Sequence, residues 1–179
     1  SNTKKQTITC TVNSPILPDG SSDATASLFA TGILPQLPDG AQITGARLNI
    51  QNLISNGVAG NTSNQARFNI YGPAPNNQTN PFLPGYAGNT LNFGVYNFEY
   101  RLQLNATILN AMYAALGVGG TFNIGYWESV DNSSASDIGL NAQTFPTTCK
   151  IEIDYVINPI SKWYLTSSGG SSFYNGSPF

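Results

Sequence analysis

The chain has 179 residues, a formal net charge of −2, no histidine, and only 9% Asp, Glu, Lys and Arg. Soluble proteins usually carry about 25% of those four residues, so solubility here must come from Asn, Gln, Ser and Thr, and the surface is short of the charges that keep freely diffusing proteins apart. The balance leaves no basic footprint for nucleic acid, and the lack of histidine removes Ser-His-Asp and Cys-His nucleophiles, histidine bases and most zinc sites.

This length fits one domain able to bury a core without metal or disulfide help. A charge-poor surface fits a secreted or surface protein, or equally a subunit whose surface meets neighbours. Lys4 and Lys5 are the sole basic pair, too short a run for a packaging arm. No stretch approaches the ~18 apolar residues of a membrane span, and SNTKKQ does not open a secretory leader.

Along the chain, Thr7 to Val12 alternates, with Ile8, Cys10 and Val12 on one face, as a half-buried strand does. Pro15 to Asp23 is turn chemistry. Ala24 to Leu34 is an extended run. A second Pro-Asp-Gly at Pro38 to Gly40 leads into AQITGARLNIQNLI, where alternation puts Thr44, Ala46, Leu48 and Ile50 inward and Gly45, Arg47 and Asn49 outward. QARFNIY continues the pattern, with Ala66, Phe68 and Ile70 inward and Arg67, Asn69 and Tyr71 outward. Residues 72–92 hold four prolines, which cannot donate to a sheet ladder, and are expected to form a long irregular loop of the kind that is usually functional.

The clearest local signals lie in residues 94–130. Asn97 to Leu104 alternates, and the period then changes from two to 3.6. Asn105 is a good N-cap. Ile108, Leu109, Met112, Tyr113 and Leu116 form an apolar stripe, and Gly117 suits the left-handed residue that ends a helix. A short helix is expected over about 105–116, followed by a strand with Phe122, Ile124 and Tyr126 inward. Glu128 to Asn141 reads as a polar loop. Cys149 to Ile157 is the last strand, with Cys149, Ile151, Ile153, Tyr155 and Ile157 on one face and Lys150, Glu152 and Asp154 on the other.

Seven or eight short strands with turns between them and a single helix predict an all-β antiparallel sandwich, most consistent with a single jelly roll. The domain is expected over residues 1–157, with 158–179 as an extended C-terminal arm. PDGAQITGARLNI, FEYRLQL and CKIEIDYVI resemble the jelly-roll modules of bacteriophage virion proteins, tail-fibre tips and carbohydrate-binding modules. The resemblance covers most of residues 7–157 as a turn-then-alternating-strand style, and no functional residue is carried over from it.

Four groups of residues carry the functional expectations. Tyr71, Phe82, Tyr86 and Phe93 lie among Asn and Gln side chains, and rings with amides are what a sugar-binding cleft needs. Trp163, Tyr164, Phe173, Tyr174 and Phe179 flank a Gly/Ser tract, as an arm that exchanges contacts between subunits would. Cys10 and Cys149 lie on the first and last strands, where a disulfide is possible if those strands are neighbours and two buried free thiols are the alternative. The strand acids Glu99, Glu152 and Asp154 each have a basic neighbour, Arg101 or Lys150, and are read as cross-strand ion pairs rather than a glycosidase pair. Glu128, Asp131 and Asp137 match no calcium-loop spacing, and the Asn-x-Ser/Thr triplets at Asn61, Asn77 and Asn132 are no more than composition predicts.

No catalytic residue, metal or cofactor is expected. The leading expectation is a non-enzymatic structural protein of a virion, in its shell, a vertex or a spike, whose partners are copies of itself and other virion proteins. The alternative is a carbohydrate- or receptor-binding sandwich module of a surface or secreted protein, with a glycan or host receptor as partner. Neither involves nucleic acid or a membrane span.

Overall fold

The computed structural model describes residues 2–13, 27–56, 65–73, 82–90, 96–130, 137–140 and 147–158. Nine strands and one helix lie within them. In chain order these are β1 (Lys4–Val12), β2 (Ser27–Ile33), β3 (Ala41–Asn56), β4 (Gln65–Tyr71), β5 (Leu83–Thr90) and β6 (Tyr96–Leu104). They are followed by α1 (Ala106–Leu116), β7 (Thr121–Val130), β8 (Asp137–Leu140) and β9 (Thr148–Ile157).

The pairing is that of one long antiparallel ribbon folded back on itself. β1 pairs β9, β2 pairs β7, β3 pairs β6 and β4 pairs β5. The ribbon is then rolled so that β9 also meets β3 and β7 also meets β4. Two four-stranded layers result, β1-β9-β3-β6 and β5-β4-β7-β2, with β8 extending the β9 edge of β3. This is the jelly-roll winding expected from the strand pattern. β1 joins the layers: Lys4 through Cys10 pair β9, while Thr11 and Val12 pair β2.

The core lies between the layers and comes from alternate positions on the strands. Ile8 and Cys10 face Leu48, Ile50, Cys149, Ile151 and Ile153 within one layer, and Phe29, Phe68, Ile70, Phe122 and Ile124 come from the other, all buried. Phe29 and Phe68 meet edge to face, with centroids 6.1 Å apart. Fully burying a side chain of this size stabilises the fold by about 1.5–3 kcal/mol.

The helix forms where its local signals place it. The Asn105 side chain accepts from the Ile108 N–H at 2.9 Å, and the Gly117 N–H donates to Tyr113 O at 2.9 Å with φ of 74°. Leu109 and Met112 are fully buried, while Ile108, Tyr113 and Leu116 pack at the core edge. The stripe is what holds so short a helix, which closes one end of the sandwich on the way from β6 to β7. Asn105→Ala removes the cap and is expected to lower stability by about 1 kcal/mol in urea unfolding; an unchanged midpoint would show that packing alone sets the helix start.

Four expectations are corrected. The irregular loop over 72–92 contains β5, because the ladder with β4 stabilises LPGYAGNT, and an edge strand tolerates a proline near its start. The polar loop over 128–141 gives Glu128 to Val130 to β7 and contains β8, which pairs with Leu53 to Asn56 of β3. Those two strands raise the count to nine. Thr44 is exposed rather than inward, since a bulge between Ile43 and Gly45 shifts the alternation and leaves Ile43 against the core.

β3 is irregular again at Asn52, which takes φ of 61°, a conformation that Asn tolerates better than most side chains. Pairing with β9 ends at Gln51, and with β6 it resumes at Leu53. The Thr147 hydroxyl donates to Asn52 O at 2.9 Å and holds this corner. No helix among the described residues is long and apolar enough to cross a membrane.

Candidate assembly surface

Period-two alternation sends Lys5 of β1 and the charged residues of β9, β3 and β6 to the outer face of one layer, where the register makes them neighbours. Lys5 lies opposite Asp154, and Arg47 opposite Glu152. The Arg47 guanidinium donates through Nη1 and Nη2 to both Asp154 oxygens at 2.9 Å and through Nε to Glu152 Oε1 at 3.0 Å. Lys5 Nζ reaches Asp154 Oδ1 at 2.9 Å, Lys150 Nζ lies 3.8 Å from Glu152 Oε2, and Arg101 Nε lies 3.3 Å from Glu99 Oε1. The Arg47 hydrogen bonds, followed by that of Lys5, hold Asp154 far below the usual carboxylate range. Glu99 is lowered first by the 2.6 Å hydrogen bond from Asn49 Nδ2, then by Arg101 and Gln51.

The strand acids are thus ion-paired, but the pairs with Arg101 and Lys150 lie within one strand, and the cross-strand pairs are made by Lys5 and by Arg47, the hub that the alternation did not single out. This network takes seven of the chain's sixteen charged residues, seven basic and nine acidic in all.

At the helix end lies an open cleft of about 710 Å3 between residues 36–43 and α1. Leu37, Pro38, Ile43, Tyr113 and Val118 supply apolar walls, Gln36, Gln42 and Asn110 supply amides, and Asp39 is the one charged residue lining it among the described residues. The Pro38-Asp39-Gly40-Ala41 turn closes with Ala41 N–H to Pro38 O at 3.0 Å, and Gly40 takes φ of 77° as the third residue of a type II turn does. The Tyr113 hydroxyl donates to Pro35 O at 2.6 Å and ties the helix to this wall. Burial pushes that phenol up to about 12, so it stays a donor at neutral pH.

Among the described residues the large hydrophobics left exposed are Ile33 (59%) and Val118 (60%). Both are at this end, since Leu34 bonds through its backbone to Gly119 and Gly120. The last described residue also lies here: the Asn158 N–H donates to Gly40 O at 2.8 Å, on the cleft rim. The arm residues Trp163, Tyr164, Phe173, Tyr174 and Phe179 lie outside the described residues.

Of the four aromatics expected to bind a sugar, the side chains of Tyr71 and Phe82 are described. Tyr71 is 2% exposed, with its hydroxyl accepting from Asn69 Nδ2 at 2.6 Å, so it is packed rather than outward. Burial raises its phenol above the ordinary value, partly offset by Asn69. Phe82 packs against the core edge and closes on β4 through its N–H to Ile70 O at 2.8 Å. Tyr86 lies on β5 opposite Phe68, and Phe93 falls outside the described residues. Alternation separates the two faces of β4, but it does not show that both faces are covered. Of the loop acids, Glu128 lies on β7 and Asp137 on β8, while Asp131 is outside the described residues.

Cys10 and Cys149 are direct cross-strand partners, buried, with both thiols free in this structure.

No family model matches the chain, and no curated protein does. Among solved structures it is similar to chains in two structures of infectious bursal disease virus. The Gx strain matches at TM-score 0.35 and 8% identity, and the Gt strain at TM-score 0.34 and 12% identity. Each match covers 89% of this chain and 42% of the other, so the chain spans about two fifths of the length of these neighbours. A likeness at that level assigns no function.

Proposed function

We propose that the chain is a non-enzymatic structural protein of a virion, of bacteriophage type by the resemblance of its strand segments. It would form part of a shell, vertex or spike by meeting copies of itself and other virion proteins. The observation that carries this reading is the segregation of charge. Burying an unpaired charge in an interface is strongly unfavourable, and interface centres are depleted of charged residues. Here the charges gathered on the β1-β9-β3-β6 face are paired with one another, in a chain of which only 9% is charged. The helix end supplies the exposed Ile33 and Val118, an open cleft, and Asn158, after which the sequence of the proposed aromatic arm follows.

Sedimentation of the full chain over a wide concentration range tests the proposal. Self-association is expected, weakened at least about tenfold, or ~1.4 kcal/mol, by Val118→Lys and by Trp163→Ala with Tyr164→Ala. A monomer at every concentration, indifferent to these changes, would overturn it.

A further inference from the structure

We infer that Cys10 and Cys149 form a built oxidation site, in which a small disulfide such as oxidised glutathione converts the facing thiols into one intramolecular bond joining β1 to β9. The inference does not depend on the assembly role. The chain has two cysteines, far apart in sequence, and the fold sets them directly opposite each other at the end of the β1–β9 ladder. Opposed residues in an antiparallel pair share a face, with Cα atoms about 4.5–5.5 Å apart, inside the roughly 4.4–6.8 Å that a disulfide spans. Side-chain rotation and a small approach of the strands suffice.

Position gives the bond a consequence. Cys10 is the last residue of β1 to pair with β9 before the strand crosses to β2. A bond there pins the strand that joins the two layers, and both layers open if that strand leaves. The hydrogen bond that the Cys149 thiol donates to Cys10, and then burial, raise the Cys149 thiol well above its ordinary value. A Cys149 thiolate is therefore scarce in the folded chain, and both cysteines are buried. Oxidation proceeds when β1 loosens or during folding, and once closed, the bond is equally shielded from reductants. The site acts as a latch rather than an exchanging pair.

The chemistry balances without any group the chain lacks. One cysteine thiolate attacks a sulfur of oxidised glutathione, breaking its S–S bond and releasing glutathione thiolate. The second cysteine, deprotonated, attacks the resulting mixed disulfide and releases the second glutathione. The protein loses two hydrogens and two electrons, and two molecules of reduced glutathione carry them away.

The test uses the full chain purified under reductant, then equilibrated with rising ratios of oxidised to reduced glutathione, both folded and during refolding from urea. Intact mass, non-reducing peptide mapping and thermal melting are read. Expected are the loss of two hydrogens, one peptide joining Cys10 to Cys149, no cysteine link between chains, and a melting temperature higher by about 10 °C. That rise should be absent in Cys10→Ala and Cys149→Ala. Comparing the oxidised and reduced forms of the unaltered chain keeps the test decisive if a variant folds poorly. A glutathione adduct retained on one cysteine, a cysteine-linked dimer, or two free thiols after refolding in the oxidising buffer would each overturn the inference.

Discussion

Gly32→Ala is expected to destabilise the domain by about 3 kcal/mol, and to do so far less when Phe122 is shortened to Leu in the same chain. Gly32 and Phe122 face each other across β2 and β7. A Cβ on Gly32 would lie 2.3 Å from Phe122 Cζ and 2.8 Å from both Cε atoms. The Phe122 ring is fully buried, and close-packed interiors leave it nowhere to swing. The ring and the missing side chain therefore share one space. Leu lacks the three ring atoms that collide, so the double variant should recover most of the loss. Urea unfolding of the two single variants and the double variant measures the coupling directly. Strict additivity would show that the ring moves freely, and that the glycine is there for another reason.

Arg47→Met is expected to lower stability by about 2 kcal/mol at pH 7, and the deficit should shrink as pH falls below about 4. Met retains the apolar stem and removes the fork that holds Asp154 and Glu152. The sign follows from Asp154, whose ionisation is favoured in the folded chain. A carboxyl with a depressed folded pKa stabilises above its unfolded value, about 3.9, and that contribution is lost as pH falls through the folded value. The parent chain should therefore lose stability steeply in acid, and the variant less so. The magnitude is kept modest because Arg47 and Asp154 are 24% and 19% exposed, and partial solvation screens the pair. Parallel pH profiles for the two chains would mean that the fork contributes nothing beyond what water supplies.

Those two predictions rest on facts of different legibility. The alternation that places Arg47, Glu152 and Asp154 on polar faces is visible in the residues themselves, as are the helix, its Asn105 cap and its Leu109 and Met112 stripe. Each depends on side chains within a few positions of one another. The conflict between Gly32 and Phe122 is not visible, because nothing local states that β2 and β7 are partners. Arg47 was likewise readable as outward, but its role as hub needed the register of β3 against β9.

The missed strands, β5 and β8, share one cause. LPGYAGNT and DIGL have little strand character of their own, and their backbone groups are satisfied by β4 and β3. Tyr71 went the other way: alternation pointed it outward, and the fold buried it.

Local chemistry thus settled most of the strands and the apolar face of most of them, where α1 begins and ends, and that charge is scarce. Pairing settled the rest: the rolled ribbon, the gathering of seven charges on one face, the exposed residues at the helix end, and the meeting of Cys10 with Cys149. The physical reason is that a period of two names a face and never a partner. Partners are selected by the burial and backbone hydrogen bonding of the whole ribbon at once.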